Sequence, residues 1–141
     1  MRLVIDASIS VKWFLPHRAG EQHLEQANQV LSALDRPETE LFEPVHWVIE
    51  TLAVLARLEP GLTDDAQIAL DDIAPTVVTE FSTLRRAIGL AVRLDQHLFD
   101  TLYHAVALEV GATLVTADQR YFAKAQGQGS IMMLDDFAGS T

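Results

Sequence analysis

The stretch His97 to Asp118 reads HLFDTLYHAVALEVGATLVTAD, and how it divides decides the fold. Asp100 opens a helix that runs through Val110, and Gly111 stands where a helix-ending glycine belongs. Thr113 to Thr116 is then a short apolar strand that leads straight into Asp118. A strand–helix sandwich would set these two carboxylates, at element ends, on one rim. Asp6 closes another apolar run, Leu3-Val4-Ile5, in the same manner.

Outward from that stretch the chain alternates. Arg2 to Ile5 is too short and apolar for an amphipathic helix and suits a buried strand. Ile9 to Leu15 is helical until Pro16 stops it. Gly20 to Leu34, apolar at Leu24, Ala27, Val30, Leu31 and Leu34, is an amphipathic surface helix. Leu41-Phe42 makes a second strand. The helix from Val45 to Ala56 is apolar or weakly polar except at His46 and Glu50, the pattern of a buried helix. Thr63 to Ala74 carries Asp64 and Asp65 in its first turn, where acids complement the helix dipole. Pro75 to Phe81 is a strand, and Ser82 caps a helix from Thr83 to Leu94. After Asp118 come a helix from Gln119 to Ala125, a Gly127-Gln128-Gly129 turn and a last strand, Ile131 to Leu134. The alternation predicts one α/β domain over residues 1–141 with a mainly parallel sheet. In such sheets ligands bind beyond the carboxyl ends of the strands, where strand order reverses.

Bulk properties narrow the function. The chain has 141 residues, 49% of them hydrophobic, enough for a real core. No apolar run reaches the roughly 20 residues a membrane helix needs, and Met1-Arg2 begins without a signal-peptide pattern. Cysteine is absent, so neither a disulfide framework nor a thiolate site exists, which fits the cytoplasm. Twenty acids against ten bases give a net charge of −10. On charge alone the expected partner is a cation or a basic protein, because non-specific nucleic-acid binding relies on displacing counterions with cationic side chains.

Each candidate acid has an ordinary explanation beside a functional one. Asp6, Asp100 and Asp118 suit helix N-caps. Glu50 could pair with Arg57 or Arg93, or be protonated. Their shared position favours a common cause, since crowded carboxylates either take up protons or hold a cation. The five histidines show no paired metal-ligand spacing, so the donors would be oxygens, as Mg²⁺ or Mn²⁺ prefers.

The ordered set VIDASISVKWF (Val4 to Phe14), PVHWVIETLAVL (Pro44 to Leu55), FDTLYHAVALEVGATLVTAD (Phe99 to Asp118) and IMMLDDF (Ile131 to Phe137) resembles the PIN-domain ribonucleases, and within them the VapC-type toxins of bacterial toxin–antitoxin pairs. The resemblance implies a three-layer α/β/α sandwich, and a homodimer restrained by an antitoxin. It implies that Asp6, Glu50, Asp100 and Asp118 ligate metal, with Ser8 and Thr116 supporting them by hydrogen bonds. It implies RNA hydrolysis, of tRNA or rRNA, by a metal-activated water that leaves a 5′-phosphate and a 3′-hydroxyl. One position departs: Ala53 stands where the family often has an asparagine. Lys12, Arg18, Arg85, Arg86, Arg120 and Lys124 are candidates to flank a substrate groove, and Trp13 and Phe14 to meet the antitoxin.

Other classes fit less well. An aspartyl phosphotransferase would want an acid where Ser8 stands, and a dinucleotide site would want a glycine fingerprint after the first strand. A related scaffold without catalysis is the remaining alternative.

Overall fold

A computed structural model describes residues 1–18 and 20–138. Five strands form one parallel sheet: β1 (Arg2–Ile5), β2 (Glu40–Pro44), β3 (Thr76–Val78), β4 (Thr113–Thr116) and β5 (Ile131–Met133), in the order β3-β2-β1-β4-β5. Seven helices among the described residues cover it: α1 (Ala7–Phe14), α2 (Leu24–Leu34), α3 (His46–Leu58), α4 (Thr63–Ile73), α5 (Phe81–Leu94), α6 (Leu98–Val110) and α7 (Gln119–Ala125). The result is a three-layer α/β/α sandwich.

From β1 the chain steps to β2 and β3 on one side, then crosses to β4 and β5 on the other. Strand order therefore reverses between β1 and β4, and the crevice beyond their carboxyl ends is where this architecture places a ligand. Asp6 follows β1 and Asp118 lies two residues beyond β4. Leu3, Val4, Ile5, Leu114 and Val115 are fully buried, as expected of parallel strands covered on both faces. Each large apolar side chain among them contributes about 1.5–3 kcal/mol relative to exposure.

Several boundaries differ from expectation. α2 begins at Leu24 and not at Gly20, because Gly20 and His23 hold positive φ of 83° and 59° and break the helical path. β3 ends at Val78 because its ladder partner β2 ends at Pro44, leaving Thr79 onward nothing to pair with. α5 begins at Phe81, so Ser82 lies inside the helix and is not its cap. Asp100 is the third residue of α6 and not its cap; His97 holds that place with no side-chain hydrogen bond. Gly111 ends α6 with φ 68°, as anticipated.

The largest correction concerns α3. It is not buried on all sides: Ile49 is 63% exposed and Val45, just before the helix, 62%. Its buried face carries Trp47 and Thr51, whose polar atoms dock α3 on α1. Trp47 Nε1 donates to Ser10 Oγ at 3.2 Å, and Ser10 Oγ lies 2.7 Å from Thr51 Oγ1. Trp13 is half-buried and donates its indole N–H to the Ala27 carbonyl at 2.8 Å, fastening α1 to α2.

Candidate active site

The Asp6 carboxylate is the most closely held group of the site. Oδ1 accepts the Ser8 backbone N–H at 3.1 Å and the Ser8 hydroxyl, while Oδ2 accepts the Thr116 hydroxyl. Ser8 Oγ in turn accepts the Ala117 N–H at 3.1 Å, and Thr116 Oγ1 accepts the Asp118 N–H at 3.0 Å. Two hydroxyls thus stitch the end of β1 to the end of β4. Asp118 Oδ1 caps α7 through the Tyr121 N–H at 3.0 Å, leaving Oδ2 without a protein hydrogen bond among the described residues. The cap explanation holds for Asp6 and Asp118, yet in neither case does it use up the carboxylate's lone pairs.

Glu50 is held differently. Its side chain is half-buried, and Oε1 accepts the Tyr103 hydroxyl at 3.1 Å. His46 Nε2, one helical turn earlier, lies 2.9 Å from the same oxygen and 2.9 Å from the Phe99 carbonyl, so its N–H is shared. The His46 ring is fixed by stacking on Phe99 and by packing on Tyr103, with centroids 5.2 and 4.5 Å away. Glu50 pairs with neither Arg57 nor Arg93; Arg93 instead reaches Gln128 at 3.4 Å. Ala53 is exposed, and Glu50 is held by His46 and Tyr103.

Asp6, Glu50, Asp100 and Asp118 line one pocket of about 420 Å³, together with Ser8, Lys12, Arg18, Arg57 and Tyr103. The acids feel one another. Burial, with repulsion from Asp118 and Asp100 added, pushes the Asp6 carboxyl up from 3.8 to about 6, against the lowering effect of its Ser8 and Thr116 bonds. Asp100 is raised by burial and then by Asp118 and Glu50; its carboxylate makes no hydrogen bond among the described residues. Such crowding is the condition a divalent cation relieves. The acids do not close into a tight cage: among the described residues no three acidic or imidazole side chains already stand in metal-holding geometry. The donor set fits a hard cation that keeps part of its water, as Mg²⁺ does.

One acid went unnoticed in the sequence. Glu43, on β2, is fully buried, and neither carboxyl oxygen has a well-formed hydrogen bond. Burial drives its pKa well above the ordinary value; the Ile5 amide opposes that push and Asp6 adds to it. Burial without a partner therefore falls on Glu43 and not on Glu50, whose Oε1 is held by Tyr103 and His46. Nothing in its position, one residue before Pro44 in a five-residue strand, distinguishes it from a solvated edge glutamate.

The basic residues divide. Lys12 and Arg18 line the pocket, and Lys12 Nζ is paired with Glu21 Oε2 at 2.7 Å. Arg120 and Lys124 line a neighbouring cleft. Arg85 and Arg86 lie on α5 and line neither; Arg86 pairs with Glu109 at 3.3 Å.

The family model of the PIN domain matches residues 3–128, so the chain belongs to the PIN domain family. Among solved structures it is similar to a toxin–antitoxin complex from Klebsiella pneumoniae (TM-score 0.68, 16% identity, covering 94% of this chain and 97% of that one). It is similar also to VapC20 of Mycobacterium tuberculosis, a Sarcin-Ricin loop cleaving toxin (0.64, 19%, 88% and 95%). A third is VapBC2 of Rickettsia felis bound to a promoter DNA fragment (0.64, 16%, 94% and 97%). At these identities the likeness concerns the fold. A comparison with curated proteins finds no match.

Proposed function

We propose that this PIN domain is a metal-dependent endoribonuclease, the toxin of a VapC-type toxin–antitoxin pair, acting on structured RNA such as tRNA or rRNA in the cytoplasm. One observation carries the reading: four carboxylates from four separate parts of the chain line a single pocket at the sheet's switch point. The solved toxins of like fold support it.

Asp6, Asp100 and Asp118 would hold Mg²⁺ or Mn²⁺, and Glu50 would join them or orient water. When bound there, such a cation would supply a water of lowered pKa and offset charge on the phosphate. The chain's own contribution is positional. Ser8 and Thr116 fix both Asp6 oxygens, so that carboxylate cannot rotate away when charge develops nearby. His46 and Tyr103 both engage Glu50 Oε1, which leaves Oε2 free to accept a proton from a water placed against it. Arg18 and Arg57, on the pocket wall, supply positive charge for the entering phosphate.

The partners follow from surfaces. Phe81, Leu84, Ile88 and Val92 recur at helical spacing along α5 and are 73%, 37%, 47% and 78% exposed, and Ile49 and Phe99 are 63% and 62% exposed. Apolar area on this scale supports a homodimer. An antitoxin bringing an arginine to the acidic pocket would meet its charge preference.

The deciding experiment incubates purified tRNA and rRNA with the protein, with and without Mg²⁺, alongside Asp6→Asn. Expected is Mg²⁺-dependent cleavage that Asp6→Asn abolishes while the melting transition persists. Equal cleavage by the variant overturns the assignment. Cation binding without cleavage of any RNA selects the non-catalytic scaffold instead.

A further inference from the structure

Beyond the acid pocket lies a second cleft of about 760 Å³, formed where the turn before α6 faces α7. Asp95, His97, Arg120 and Lys124 line it, and it shares only Asp100 and Asp118 with the first cleft. Those two acids are therefore a saddle between two open troughs. Both troughs carry positive charge. In the first, Lys12 is committed to Glu21, and Arg18 and Arg57 stand on the wall beside the acids. In the second, Arg120 makes no ion pair or hydrogen bond among the described residues, and Lys124 Nζ touches only the neutral Asp95 carbonyl at 3.2 Å. Arg120 and Lys124 are four residues apart on α7, one turn or about 5.4 Å along its axis, and both are exposed.

We infer that the second cleft binds the phosphodiester backbone of the RNA strand on one side of the cut, with Arg120 and Lys124 each contacting a phosphate and the scissile group lying over Asp100 and Asp118. This rests on the ribonuclease reading above. A guanidinium and an ammonium without carboxylate partners, one turn apart beside a nuclease centre, suit successive phosphates. They carry no base information. The contact sets affinity and minimum substrate length without choosing the sequence. It also answers the net charge of −10, since the strand meets cations locally while the rest of the surface repels it.

The test compares wild type, Arg120→Ala/Lys124→Ala and a charge-matched control, Arg85→Ala/Arg86→Ala, which touches neither cleft. Cleavage of one RNA is followed across salt concentrations, and binding of that RNA is measured in an Asp6→Asn background. Losing two phosphate contacts should flatten the log affinity against log salt slope by about 1.4, from roughly 0.7 per contact on a single strand. KM should rise at least tenfold while kcat changes far less, and the control should resemble wild type. Wild-type cleavage with an unchanged KM and salt slope in the double variant overturns this inference alone. An equal loss in the control also overturns it, by showing that net charge and not the cleft matters. Absence of cleavage by wild type on every RNA overturns the ribonuclease reading instead.

Discussion

Asp6 and Glu50 face the same pocket from opposite kinds of support. Asp6 sits at the end of a buried strand, and both its oxygens are bonded to hydroxyls, one from Ser8 in the first turn of α1 and one from Thr116 at the end of β4. Glu50 projects from a half-exposed helix, and only one of its oxygens is held, by side chains from α3 and α6. The first arrangement fixes geometry through the sheet; the second leaves a carboxylate free to adjust. For the hydrolysis proposed above, a rigid metal ligand beside an adaptable group that orients water would divide the labour sensibly, and the division can be broken from either end.

The largest effect is expected at Asp6. Asp6→Asn should reduce cleavage by more than the roughly 10–100-fold typical of removing an outer partner of a metal ligand. It should also raise the melting temperature of the metal-free protein near neutral pH, because it removes a crowded, raised carboxyl. Loss of both activity and melting transition would mean that Asp6 matters to folding first.

Next comes pH. The folded Asp6 carboxyl titrates near 6 against an ordinary 3.8, so between those values the folded chain binds more protons than the unfolded one. Metal-free stability contributed by this group is therefore full below about 4 and declines as pH rises towards 6. A cation needs the ionised form, so stabilisation by Mg²⁺ should be small at pH 5 and larger at pH 7.5. Melting curves with and without Mg²⁺ at both values check this, and equal shifts would refute it.

Thr116→Val should then cost about 10–100-fold in metal affinity or rate, since it releases Asp6 Oδ2 and leaves the Asp118 N–H without its acceptor. Tyr103→Phe, which removes one of two bonds to Glu50, should cost less. If the order of these two were reversed, the adaptable side of the pocket would be the one that limits turnover.

Much of this was legible in advance where a single rule governs. β1 and β4 appear as short apolar runs, Gly111 as a helix stop, and Asp6 and Asp118 as acids just past strand ends, because strand burial and turn chemistry act locally. Glu50 does line the pocket, but the burial of α3 that singles it out in the sequence is not what places it there. α3 reads as buried all round, but part of that apolar surface, Ile49 among it, faces outward. Sequence periodicity cannot tell a core-facing apolar residue from an exposed one. Glu43, His46 and Tyr103 were missed for the opposite reason: their roles arise from contacts across elements, such as the 53-residue separation between Tyr103 and Glu50. The start of α2 was misplaced because positive φ at His23 leaves little trace in composition.

The Thr116–Asp6 hydrogen bond joins residues 110 positions apart. A polypeptide still emerging from the ribosome has Asp6 long before it has Thr116 or Asp118, so the hollow cannot assemble on a partial chain. The pocket can close only once the chain through Asp118 has been made.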